Sequence, residues 1–118
     1  MAQWNQTQPI FLQIRQRIIE MILKEEVAEG GALPSVRQVA ADLQVNPLTV
    51  TKAYEGLVDA GAVEIKRGLG MFVAAGAKGR LLSQERKAFL DEEWPQIKAR
   101  IAALELRVSD LLNESVDE

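Results

Sequence analysis

Three short stretches hold the side chains of this chain best suited to recognising another molecule. Leu33-Pro34-Ser35-Val36-Arg37 offers a hydroxyl and a guanidinium. Val45-Asn46-Pro47-Leu48-Thr49-Val50-Thr51-Lys52-Ala53-Tyr54 offers an amide, two threonine hydroxyls, an amine and a phenol. Lys66-Arg67-Gly68-Leu69-Gly70 sets two cations beside glycines, which let a backbone approach a surface closely. These groups hydrogen-bond and neutralise anions. Bond-making chemistry has little to work with. The chain has no histidine and no cysteine, so the commonest general base, the commonest metal ligand and any thiolate are missing. No paired carboxylates or phosphate loop replace them, and Gly68-Leu69-Gly70 is too short to be a nucleotide motif. The sequence therefore predicts no enzyme, no metal and no cofactor.

The elements that position these residues follow from local signals. Ser35 follows a proline and precedes Val36, Val39, Ala40 and Leu43, which predicts a helix over 35–43 capped by Ser35. Gln44-Val45-Asn46 predicts a tight turn, with Val45 plugging the core between two helices. Asn46-Pro47 is a second start signal, an Asx cap with proline at the first helical position. Val50, Ala53, Tyr54, Leu57 and Val58 form the buried stripe of that helix, and Gly61 closes it. Two short helices joined by a tight turn, the second studded with hydrogen-bonding side chains, make the layout of a helix-turn-helix that reads DNA.

Upstream, Pro9 and the series Ile10, Ile14, Ile18, Met21 and Ile22 predict an amphipathic helix over about 9–25, ended by Gly30-Gly31. Downstream the period changes. Residues 62–66 and 71–74 read as strands around Arg67-Gly68-Leu69-Gly70, a hairpin. A hairpin directly after a helix-turn-helix is a wing.

Gly76-Ala77-Lys78-Gly79 reads as a flexible joint. Beyond it, Leu90, Trp94, Ile97, Ile101, Leu104, Val108 and Leu111 step alternately by four and three, a heptad seam. Pro95 should kink this helix or let a second one start beside Trp94. A further break near Leu106, with Ser109 recapping a short last helix, is the alternative to a continuous run. Residues 114–118 should fray. The seam packs either on its own domain or, the favoured reading, on a second copy of the chain.

Length allows one domain, or a small domain plus an appendage, in 118 residues. No signal-peptide pattern opens the chain, and no apolar run nears the roughly 18 residues that span a bilayer, so a cytoplasmic location without membrane contact is expected. The formal charge is -3, against the usual rule for DNA binders. Any DNA face must then be a local patch. Arg37, Lys52, Lys66 and Arg67 are candidates, as are Lys78, Arg80, Arg86 and Lys87, with acids at Glu25, Glu26, Glu29, Asp91, Glu92 and Glu93. The alternative is mixed charge scattered over a solvated surface.

Together, Gly31 through Ala40, Val45 through Tyr54, Leu57, Gly61 and Arg67-Gly68-Leu69-Gly70-Met71-Phe72-Val73 resemble the DNA-binding domain of GntR-family bacterial transcription regulators. The opening Pro9-Ile10-Phe11-Leu12-Gln13-Ile14 and the short helical tail resemble its YtrA-like subfamily. The resemblance implies a homodimer on an inverted-repeat DNA operator, mostly repressing, often at transporter operons. It implies that Arg37 enters the major groove, where its fork suits O6 and N7 of guanine. Ser35, or the start of its helix, would hold a phosphate. Asn46, Pro47, Leu48 and Thr49 would meet base edges. Thr49, Thr51 and Lys52 would make phosphate or mixed contacts, and Tyr54 a phosphate contact or a core contact. Lys66 flanks the wing, and Arg67, Gly68 and Gly70 would form its tip in the minor groove. Leu48 departs from the polar residue frequent in relatives, and a leucine there can only touch a thymine methyl. Gly30-Gly31-Ala32 likewise lacks a polar residue usual before Leu-Pro-Ser.

The reading is an α+β, mainly α chain. Residues 1–76 form a winged helix-turn-helix of three helices and a two-stranded wing. Residues 77–118 form a helical dimerisation region whose seam comprises Phe89, Leu90, Trp94, Ile97, Ile101, Leu104 and Val108. Phe89 and Trp94 either fill that seam or flank a small effector, whose identity the sequence does not give. The rival reading is a winged-helix protein-interaction module without specific DNA binding.

Overall fold

The computed structural model describes residues 4–113. The expected fraying of 114–118 lies outside the described residues. Helix α1 spans Ile10–Leu23, α2 Val36–Leu43 and α3 Pro47–Asp59. Strands β1 (Val63–Lys66) and β2 (Gly70–Val73) follow, then α4 (Ala77–Ala88). The chain is mainly helical with one antiparallel two-stranded wing.

Helix α1 buries Ile14, Ile18, Ile19 and Ile22. The expected stripe is thus corrected at Ile10 and Met21, while its last member, Ile22, is buried. Ile10 is exposed in the first turn, Met21 is only half-buried, and Ile19 takes an interior place. The helix also stops before the glycines. Glu25 adopts a left-handed φ of 59°, with Glu26 N–H donating to the Met21 carbonyl and Glu25 N–H to that of Ile22. This is a Schellman ending built without glycine.

Both caps of the helix-turn-helix form as expected. Ser35 Oγ accepts from the Gln38 N–H at 3.0 Å, and Asn46 Oδ1 accepts from the Leu48 N–H at 2.8 Å. Pro47 opens α3. The turn between them is carried by Gln44 at φ 56°. Val45 is half-buried and packs against the core. Val50, Ala53, Tyr54 and Leu57 of α3 are buried, and Gly61 at φ 76° closes that helix.

In the wing Val63 pairs with Val73 and Lys66 with Gly70. A third stretch, absent from the sequence reading, lies along the other edge of β2. Ala32 bridges Phe72, and Leu33 N–H donates to the Met71 carbonyl while Val73 N–H donates to that of Gly31. The approach to α2 is therefore sewn to the wing.

The joint expected at 76–79 is a helix start instead. Ala77 and Leu81 of α4 are buried in the same core as Tyr54 and Ile14. The first compact unit runs through Leu82.

The second unit, from Ser83 on, is helical and buries no residue among those described. Phe89–Glu93 form a π-helical turn, in which the Trp94 N–H reaches back to the Phe89 carbonyl. Pro95 lacks an N–H and its ring would crowd the carbonyl four residues back; the widened turn relieves this. Helix α5 (Trp94–Ala103) then ends in another Schellman motif, with Glu105 at φ 56° and Leu106 N–H on the Ile101 carbonyl. Helix α6 spans Val108–Asn113, so Ser109 lies inside it and caps nothing. Among the described residues the tail is one helix through Ala103, widened at the π-turn, then a break at 104–107 and the short α6, rather than one seam-bearing rod.

Candidate nucleic-acid interface

The first turns of α2 and α3 and the tip of the wing display the candidate recognition residues. Arg37 is the second residue of α2, exposed and without a hydrogen bond or ion pair among the described residues. Ser35 is exposed too; its oxygen caps α2, and its hydroxyl proton remains free to donate. Asn46 uses only its side-chain oxygen in the cap, which leaves the amide group as a donor. Leu48 stands 75% exposed in the first turn of α3. Thr49 is half-buried and borders a shallow groove with Ile10, Phe11, Leu48 and Lys52. Thr51 points elsewhere, into a cleft shared with Ile65 and Met71 of the wing.

Lys52 is not a freely waving amine. Its Nζ sits 4.1 Å from the centroid of the Phe11 ring, a cation–π contact that fixes its direction. The Arg15 guanidinium approaches the same ring at 5.3 Å and donates to the carbonyls of Lys52 and Ala53, both at 3.3 Å. Gly56 makes room for it, since a Cβ there would stand inside the guanidinium. Sequence reasoning missed Phe11, Arg15 and Gly56 as supports of α3. The available signal was the four-residue spacing of Phe11 and Arg15, which puts both on one face of α1.

At the wing, Gly68 (φ 78°) and Gly70 (φ 121°) supply the turn, and Leu69 N–H donates to the Lys66 carbonyl. Arg67 is exposed at the tip with no ion pair among the described residues. Lys66 is less available: its Nζ lies 4.7 Å over the Phe72 ring and 4.0 Å from the Glu64 carboxylate, an exposed and weak pair.

Tyr54 leaves the set of DNA-facing candidates. It is 1% exposed, and its hydroxyl donates to the Pro34 carbonyl at 2.5 Å. Burial pushes its phenol up to about 12. It ties α3 to the segment that leads into α2. The second cation group is also reassigned. Lys78 pairs with Glu25 at 2.7 Å, and this hydrogen bond, then the ammonium charge, holds the Glu25 carboxyl below its usual range. Arg80 donates to the carbonyls of Gly61 and Ala75, and Lys87 pairs with Asp91. The acids expected to lie apart from these cations instead neutralise two of them.

In the tail, Phe89 and Trp94 stack with centroids 6.3 Å apart. Phe89, Leu90, Ile97, Leu104 and Val108 are exposed, and Trp94 and Ile101 half-buried. No helix of the described residues is long and apolar enough to cross a membrane.

Comparison with known proteins agrees with this geometry. Residues 11–73, more than half of the chain, match the family described as bacterial regulatory proteins, gntR family. The HTH-type transcriptional repressor YtrA of Bacillus subtilis is 38% identical over 100 residues, covering 83% of this chain and 76% of that protein. The regulator YhcF of the same bacterium is 38% identical over 76 residues, covering 64% of this chain and 63% of that relative's length. Among solved structures, YtrA from Sulfolobus acidocaldarius, a GntR-family transcription factor, aligns with a TM-score of 0.59 at 30% identity, over 99% of this chain and 93% of that one. These relatives are named as regulators, not enzymes. The chain belongs to the GntR family and is a YtrA-like, DNA-binding transcription regulator.

Proposed function

We propose that the chain is a cytoplasmic repressor that binds an inverted-repeat operator as a homodimer. The observation that carries this reading is the unpartnered set Arg37, Leu48 and Arg67, held outward by two capped helix starts and a glycine turn. Arg37 reads guanine, Asn46 to Thr49 meet base edges, Lys52 takes a phosphate, and Arg67 with Gly68 and Gly70 enters the minor groove. Ser35 holds a phosphate at the margin, and Thr51, turned towards the wing, leaves the DNA-facing set. The tail supports pairing, because Phe89, Leu90, Ile97, Leu104 and Val108 stand exposed among the described residues. Two copies would then present α3 to half-sites about one helical turn apart.

Repression follows the name of the Bacillus subtilis relative. Control of a transporter operon extends the same likeness. Division at residue 76 between a reading domain and a dimerising tail is part of this proposal, with the first turn of α4 serving the reading domain.

Selection of bound sequences from a random DNA pool tests the reading. An enriched inverted repeat with a fixed spacing is expected. Enrichment of a single half-site removes the dimer, and no enrichment at all favours a protein-interaction role.

A further inference from the structure

We propose that the groove between α1 and α2 binds a small amphiphilic cation and that its occupation weakens operator binding. The groove measures about 400 Å³ and opens to solvent. Its lining is apolar: Met21 from α1 faces Leu43 from α2, with Pro34 alongside, and the buried Ile14, Ile18 and Val39 form the floor. Such walls favour a hydrocarbon body over water.

The rim selects the sign of the charge. It carries the carboxylates of Glu20, Glu26 and Asp42 and one cation, Arg17, so three negative groups face one positive. Arg17 is already engaged, its guanidinium lying 5.0 Å from the centroid of the Trp4 ring. Among the described residues, Glu20 and Asp42 accept from neutral amides, those of Gln16 at 3.2 Å and Gln38 at 3.4 Å. Glu26 has no side-chain partner among the described residues. An ammonium at the mouth therefore meets uncompensated negative charge, while an anion is repelled.

One wall of this groove is the helix that presents Arg37. Val39 and Leu43 lie against the cavity, and Arg37 stands exposed in the first turn of the same helix. Pro34 accepts the Tyr54 hydroxyl from α3, so a shift at the groove also reaches the recognition helix. A molecule wedged between α1 and α2 displaces both readers from the arrangement that fits DNA. The two binding events then oppose each other by the same factor in either direction. This regulatory half rests on the operator-binding reading; the binding half does not.

The test uses the full chain and three isosteric probes at pH 7: 4-phenylbutylamine, which is protonated, neutral 4-phenylbutanol, and 4-phenylbutyrate. Methyl resonances of Ile14, Ile18 and Met21 should shift saturably with the amine. The alcohol should bind about five-fold more weakly and the carboxylate not at all, a difference of the size that rim charges supply. A Glu26→Gln/Asp42→Asn variant, changed only at exposed side chains, should bind amine and alcohol alike. Saturating amine should lower affinity for the selected operator at least three-fold. Equal binding of amine and alcohol by the parent chain overturns the cation assignment, and absence of shifts overturns the site. Groove binding with unchanged operator affinity overturns the regulatory link. Failure of the operator reading itself would look different, with methyl shifts intact and no sequence enriched from the pool.

Discussion

The guanidinium of Arg80 closes over Gly61. Its Nη2 donates to the Gly61 carbonyl at 2.9 Å, and its Nε lies 3.3 Å from where a Cβ on Gly61 would stand. The same Nη2 donates to the Ala75 carbonyl at 2.6 Å. One side chain at the start of α4 thus ties the end of α3 to the exit of β2. Gly61→Ala should cost about 1–2 kcal/mol, because an L-residue resists the left-handed region and the new methyl presses on Arg80. Arg80→Ala should cost about 1 kcal/mol, since the side chain is largely solvated. The double variant should lose less than the sum. Urea unfolding measures all three, and a neutral Gly61→Ala would contradict the account.

Gly56 behaves differently. In an ordinary helix interior, Gly→Ala gains about 1 kcal/mol. Here the methyl evicts the Arg15 guanidinium from the carbonyls of Lys52 and Ala53. Gly56→Ala should therefore be close to neutral in the parent chain. In an Arg15→Ala background the same change should stabilise by about 1 kcal/mol. Identical effects in both backgrounds, read by thermal unfolding, would rule out the coupling.

Tyr54 is the sole tyrosine, so phenolate absorbance reports it alone. In the folded chain it should titrate at about 12 instead of near 10. The raised value favours the neutral phenol in the native state. Its stabilising effect is complete below the unfolded value, and stability should fall as pH rises from about 10 towards 12. A Tyr54→Phe variant should lack this slope while losing about 1 kcal/mol at neutral pH with the bond to Pro34. A folded-state titration near 10 would show the phenol to be solvated.

Base reading has two signatures. Arg37→Ala should cost about 1–3 kcal/mol and relax preference at one base pair. Equal losses on selected and random DNA would leave Arg37 a phosphate role. Leu48 should read a thymine methyl. Replacing that dT by dU should weaken binding about four-fold, the worth of one buried methyl, in the parent but not in Leu48→Ala. Gel-shift titrations at fixed salt decide both.

Pairing through the tail is tested by Ile97→Asp with Ile101→Asp. Analytical ultracentrifugation should show a monomer, with weaker operator binding. A persisting dimer would place the interface elsewhere.

What could be read in advance followed how local each signal is. Ser35 and Asn46 cap with their own side chains, and Asn46-Pro47 fixes its φ and cap within two residues, so both helix starts were legible. The wing was legible because alternation and Gly68–Gly70 mark it without help from distant residues. Helix ends were legible where glycine occupies the left-handed position, as at Gly61, and where a new start signal follows at once, as at Gln44 just before Asn46-Pro47. Glu25 and Glu105 take the left-handed position with no such neighbouring signal, so the stop of α1 was placed too late and the break in the tail was weighed without being fixed. The Arg15–Phe11–Lys52 stack and the Tyr54–Pro34 bond join residues far apart in the chain. No pattern in one segment announces them. For the same reason Lys78 and Arg80 looked like part of a DNA face until their partners at Glu25 and Gly61 were located.

The strip at residues 30–33 has a consequence for solubility. A bare hairpin exposes two rows of unpaired backbone groups, each a template for another chain. Here the strip occupies the outer row of β2, which leaves only β1 open. On that strand Glu64 and Lys66 put opposite charges beside exposed Ile65. A neighbour adding itself in sheet fashion would have to strip water from both. The wing can therefore stay bare for a nucleic acid groove without inviting edge-to-edge aggregation.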